Sequence, residues 1–212
     1  MDEKPLQVIL PLEEFDTPCV PSNLYSYSLE EVFEFSFVRI TEKNLVAPSM
    51  YAKVRVYLVP ELRIVLTEMQ KAFKIFNQRQ FYATVYPYGL SIFQHDFNTQ
   101  LNTIKNIRTQ MFFGGKYDTL VDLYGSRHHL FEKLPKGDLR KEINIHGLRH
   151  AVIAPANENA EFFNVSTSDI SLLFLCEVIL KWDKAPEKPK RFCKSMIEEF
   201  RTDARRYLDM ND

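Results

Sequence analysis

Hydrophobic and polar positions follow the clearest pattern between Glu31 and Phe76. Over Glu31 to Ile40, EVFEFSFVRI, alternation puts Phe33, Phe35 and Phe37 on one face and Val32, Glu34, Ser36, Val38 and Ile40 on the other. That period of two predicts a strand. A second strand is predicted over Ala52 to Val59, with Val54, Val56 and Leu58 inward and Lys53, Arg55 and Tyr57 outward. Pro60 suits the first turn of a helix. Beyond it, Leu62, Val65, Leu66, Met69, Phe73 and Phe76 recur at helical spacing, with polar residues covering much of the remaining surface.

The rest of the chain is less regular. Residues 1–29 carry Pro5, Pro11, Pro18 and Pro21, which predicts an extended N-terminal arm with a short strand at Leu6 to Leu10. Over Gln80 to Phe93, Pro87 and Gly89 favour a strand or bend around Phe81 to Tyr86 and then another short strand. Gln94 to Arg108 is spaced like a helix, Asp118 to Phe131 holds a short helix, and 134–139 is a loop. Lys141 to Ile145, Ala151 to Ile153 and Phe162 to Val165 read as short strands, with a turn at Asn157 to Asn159. Ile170 to Trp182 is apolar on both faces, as a buried central strand would be. Arg191 to Leu208 repeats Phe192, Met196, Phe200, Ala204 and Leu208 at intervals of four, a second amphipathic helix. The expected architecture is therefore α+β: a single domain over 30–212, a mixed or antiparallel sheet packed against two amphipathic helices, preceded by the arm.

Composition narrows the function. The chain has 212 residues, 45% hydrophobic and 13% aromatic, enough for a packed core. A formal charge of -1 does not mark the whole molecule as a nucleic-acid binder. Charge is uneven, however. The first 34 residues hold eight acids against Lys4, whereas Lys181 to Lys194 holds six bases against Asp183 and Glu187. Three cysteines, Cys19, Cys176 and Cys193, form no C-x-x-C pair. This favours a reducing compartment over a disulfide framework or cysteine zinc site. The N-terminus is acidic and interrupted by Pro11, unlike a secretory signal, so an intracellular location is expected.

No catalytic constellation emerges. His146 and His150 are four apart, but Gly147 between them disfavours the helix that would align them, and no glutamate follows as in a zincin. Phe113 to Tyr117, FGGKY, lacks the first glycine and the hydroxyl residue of a phosphate loop. No G-x-S-x-G occurs. Cys176 reads as an inert core thiol. No cofactor, metal or small-molecule substrate is inferred. The candidate contact surface is the basic cluster Lys181, Trp182, Lys184, Lys188, Lys190, Arg191 and Lys194, read as a loop around Pro186 and Pro189. Its chemistry suits an anionic membrane surface or the phosphates of a nucleoprotein.

The order of elements resembles that of rhabdovirus matrix proteins. The resemblance rests on AKVRVYLVPELRIVLTEMQKAFKIF, Ala52 to Phe76, and ISLLFLCEVILKW, Ile170 to Trp182, as landmark strand–helix and late-strand segments. It implies a non-enzymatic, self-assembling layer between ribonucleoprotein and membrane that acts in virion assembly and budding. Its partners would be further copies of itself, a viral nucleoprotein complex and an anionic membrane, in the virion and the host cytoplasm or at the host membrane. The chain departs from the family in its acidic arm and in lacking PPxY and PTAP motifs. The alternatives are a protein-binding adaptor using the Leu62 to Phe76 or Phe192 to Leu208 helix, a viral coat or movement-type protein, and an enzyme of unfamiliar type.

Overall fold

The computed structural model describes residues 23–35, 51–103, 106, 141–163 and 165–209. Helices dominate, with one two-stranded antiparallel sheet, an α+β arrangement. The proposed strand at Leu6 to Leu10, most of the arm, and the helix at Asp118 to Phe131 lie outside the described residues.

The first expected strand is instead helical where it is described. After a 3-10 turn at Leu24–Ser26, helix α1 spans Leu29–Phe35. Ser28 and Glu31 close a capping box. The Ser28 backbone N–H and hydroxyl donate to Glu31 Oε2 at 2.7 and 2.9 Å, and the Glu31 N–H donates to Ser28 Oγ at 3.3 Å. Helical spacing buries Leu29 and Val32 and brings Phe33 onto Phe73, ring centroids 4.1 Å apart. A row of alternating phenylalanines therefore does not form here; residues 36–40 lie outside the described residues.

The other opening elements follow the sequence, except that Phe76, expected on the helical stripe, lies beyond the helix and is exposed. Strand β1, Tyr51–Leu58, pairs antiparallel with β2, Lys141–Leu148, with Val54 opposite Ile145 and Val56 opposite Ile143. Their apolar face is buried and their polar face, with Lys53, Arg55 and Tyr57, is exposed. Helix α2, Pro60–Ala72, starts on its proline and buries Leu62, Val65, Leu66 and Met69. It ends in a Schellman motif. Ile75 N–H donates to Gln70 O at 3.1 Å and Lys74 N–H to Lys71 O at 3.0 Å, with Lys74 left-handed at φ 55°.

Several sequence expectations are corrected next. Phe81 to Tyr86 and the short strand expected after it are instead part of helix α3, Gln78–Asp96, which Asn77 caps by accepting from Arg79 and Gln80 N–H at 2.9 and 3.2 Å. Residues 81–90 are all buried, so no polar face marks the helical period. Pro87 lies inside α3, removing one hydrogen bond without ending the helix. Gly89 is required by packing: a Cβ there would collide with the Phe174 carbonyl oxygen and lie 2.7 Å from its carbon. The expected strands at 151–153 and 162–165 and the turn at 157–159 are replaced by a π-helical turn, Arg149–Ile153, and helix α4, Ala154–Phe162.

The expected central strand, Ile170 to Trp182, is helix α5, Thr167–Lys181. Ser166 Oγ caps it, accepting from Asp169 N–H at 3.1 Å. Every residue from 170 to 179 is buried, because α5 packs against α3, α4, α6 and β1 at once. Tyr86 and Ser171 join α3 to α5 through a 2.6 Å hydroxyl contact. Helix α6, Glu187–Asp209, occupies the place of the expected amphipathic helix and begins earlier. Phe200 on α6 closes an aromatic cluster with Phe93, Phe97 and Phe163, at centroid distances of 5.6, 5.2 and 4.9 Å.

Candidate functional site

The basic residues near Trp182 form an elbow between α5 and α6, not the proline-ringed loop expected from sequence. Trp182 caps α5, its N–H donating to Ile179 O at 3.2 Å, and Ala185 N–H returns to Trp182 O at 3.0 Å. Helix α6 resumes at Glu187, so Lys188, Lys190, Arg191 and Lys194 are helical. Pro189 falls in the first helical turn, where a missing N–H costs little.

The inner side of the elbow is locked and the outer side is wet. Trp182 is only 5% exposed and Ala185 is also buried. A surface role for the Trp182 ring is therefore corrected: it packs in the core. Lys190 is half-buried and its Nζ donates to Asp183 O at 3.1 Å, tying α6 to the turn. Lys181, Lys184, Lys188, Arg191 and Lys194 are exposed. Arg191 meets Glu187 at 3.9 Å with both side chains open to solvent, a pairing of little energetic weight. Lys184, Lys188 and Lys194 form no ion pair among the described residues.

The helix dipoles act differently on the two sides. Lys181 sits in the last turn of α5, where a cation is favoured. Lys188, Lys190 and Arg191 sit in the first turns of α6, at its positive end, where cations are disfavoured. The elbow thus adds the α6 dipole to five exposed basic side chains, a local positive potential despite a net charge of -1. It can attract polyanions.

Away from the elbow, Glu177 is buried on α5, and its Oε1 has no hydrogen-bond partner. Burial, and secondarily the Asp96 charge, push its pKa up to about 7, against smaller opposing effects of Arg201 and Lys181. Cys176 is buried as expected, though on a helix. The neighbouring Cys193 thiol and burial hold its pKa well above the ordinary range. His150 is exposed in the π-helical turn, while His146 lies on β2, so their spacing does not align them on a helix. His95 stacks on Tyr25 with centroids 4.0 Å apart. Among the described residues, no group of histidine, cysteine or carboxylate side chains is arranged to hold a metal ion. His128, His129 and the Gly114–Gly115 segment lie outside the described residues.

His146 instead lines a cavity of about 390 Å³ with Lys53, Gln78, Arg79, Tyr82 and Asn144. The sequence reading missed this group. Strand alternation places Lys53 on the polar face of β1, but nothing in the sequence reveals that β2 lies beside it. The apolar stripe of α2, considered as a partner-docking face, is spent on the core, leaving Ile64 and Phe76 exposed.

No single helix among the described residues is long and apolar enough to cross a membrane. The helical state of 167–181 also removes one of the two landmarks carrying the resemblance to matrix proteins. No family model, curated protein or solved structure matches the chain.

Proposed function

We propose that this chain is a non-enzymatic, self-assembling structural protein, matrix-like in action, that layers onto anionic surfaces between ribonucleoprotein and membrane. Residues 30–212 act as one α+β unit, with the acidic N-terminal arm as a further contact surface. The observation that carries the reading is the α5–α6 elbow: Lys181, Lys184, Lys188, Arg191 and Lys194 are exposed over the positive end of α6. Because Trp182 is buried, contact through this surface is electrostatic and not insertive. The acidic first 34 residues offer a complement of opposite sign on a second copy.

Flotation with vesicles containing phosphatidylserine tests the membrane contact. Lys184→Glu, Lys188→Glu and Lys194→Glu combined should weaken binding by at least about 100-fold, since each nearby cation contributes about 1 kcal/mol. Lys190 is left intact because it holds the turn. Unchanged flotation overturns the membrane role of the elbow. Light scattering across protein and salt concentration tests assembly. A monomer under every condition overturns that part.

A further inference from the structure

The cavity beside His146 has a composition that the elbow-based reading does not use. In the β1–β2 register Lys53 stands directly opposite His146, and Arg55 opposite Asn144, so all four share the polar face of the ribbon. Arg79 and Tyr82 enter from the first turns of α3. Basic groups from three elements therefore converge on one cavity with no carboxylate in its lining. The acid on that face, Glu142, is engaged by Arg55 at 3.1 Å. Neither Lys53 nor Arg79 forms an ion pair among the described residues. Lys53 and Arg79 thus bring two permanent cations to one cavity that has no carboxylate in its lining to offset them.

We propose that this cavity binds a small phosphate monoester, its phosphate held by Lys53, Arg79 and His146. The remaining polar lining is rich in donors. Asn144 and Gln78 present amides, and Tyr82 presents a hydroxyl, which burial keeps protonated with its pKa pushed up to about 12. The N–H groups of Arg79 and Gln80 are already satisfied by Asn77, so side chains supply the grip. A phosphate monoester carries about -1.5 to -2 charges at neutral pH and three acceptor oxygens, matching two permanent cations, a histidine and several donors better than a carboxylate does. The volume of about 390 Å³ lies in the range of small-ligand sites and exceeds what a bare oxyanion fills.

His146 gives the site a built-in reporter. Burial, then the Arg79 and Lys53 charges, lower its pKa in the empty cavity. The charged and titratable groups facing it are Lys53 from β1 and Arg79 and Tyr82 from α3, with Glu142 four residues away along β2. A bound dianion favours the protonated ring, so its pKa rises on binding.

The test is calorimetric titration of the full chain with phenyl phosphate, inorganic phosphate and benzoate at matched ionic strength. Saturable one-to-one binding of phenyl phosphate is expected, about ten-fold tighter than benzoate. Arg79→Gln and Lys53→Gln should each weaken it by about ten-fold without lowering the ligand-free Tm. Lys188→Gln on the elbow should leave it unchanged, which separates this site from the assembly reading. The His146 ring resonances should titrate at higher pH with phenyl phosphate bound. The proposal is overturned by the absence of saturable binding, by equal affinity for benzoate, or by equal losses in the Lys188 variant. Inorganic phosphate binding as tightly as the ester overturns the ester assignment.

Discussion

Helices α5 and α6 are neighbours of opposite character. From Ile170 to Ile179, α5 is buried on every side, whereas α6 alternates buried Cys193, Met196, Ile197 and Phe200 with exposed Lys188, Arg191, Lys194 and Glu198. The sequence pattern gave α6 correctly and α5 as a strand. A helical period is visible only when one side of the helix meets water. A helix surrounded by α3, α4, α6 and β1 needs apolar residues all round, and its composition becomes that of a buried strand. Helix α3 repeats the lesson with its run of buried residues from 81 to 90.

That contrast is breakable by substitution, and a large effect belongs at the α3–α5 contact. Gly89→Ala should cost about 3 kcal/mol and lower Tm by about 10 °C, because its methyl group meets Phe174 backbone that cannot give way. A Tm within a degree of the parent would mean that α3 and α5 do not approach as described.

A paired comparison sharpens the difference between the two helices. Leu173→Ala on α5 should cost about 2–5 kcal/mol by chemical denaturation, since its side chain is wholly buried. Lys194→Ala on the outer face of α6 should change stability by less than about 0.5 kcal/mol. Similar values for the two would erase the distinction between an enclosed helix and a half-wet one.

Glu177 makes a pH-dependent version of the same point. Its folded pKa of about 7 lies above its ordinary value of 4.5, so the native state holds the proton more tightly than the unfolded chain. Its favourable contribution is complete below about pH 4.5 and is lost as pH rises through about 7. Glu177→Gln should therefore stabilise the protein at pH 8 by about 2–3 kcal/mol relative to the parent and change little at pH 4. Urea midpoints of both proteins across this range decide it; parallel profiles would remove Glu177 from the account.

A further small effect is conformational. Lys74→Gly should stabilise by about 0.5–1 kcal/mol, because Lys74 holds a left-handed backbone that glycine adopts without a Cβ penalty. Thermal melts of the pair measure it, and a loss of stability would mean that the lysine side chain, not the backbone, secures the end of α2.

Some of the missed structure was legible after all. Ser28 to Glu31 and Ser166 to Asp169 are helix-start signals, and in both places the side-chain bond to the backbone is made. They precede segments whose apolar alternation or continuous apolar run predicts strands. Pro87 misled in the opposite direction, since surrounding packing keeps α3 helical through it. Of the candidate surfaces, the basic cluster was visible because charge is countable along a chain. Its division into buried Trp182, anchored Lys190 and exposed Lys184, Lys188 and Lys194 was not.

The sequence by itself determined what depends on neighbours along the chain: the two strands with one wet face, the amphipathic helices α2 and α6, the caps, and the basic run. Only the tertiary structure decided what depends on residues far apart. It enclosed α5 and so turned an apolar run into a central helix. It also set Lys53 opposite His146, 93 positions along the chain, and brought Arg79 beside them. Burial from all sides leaves no periodic trace in a sequence, and cross-strand pairing is a relation between segments that neither segment encodes alone.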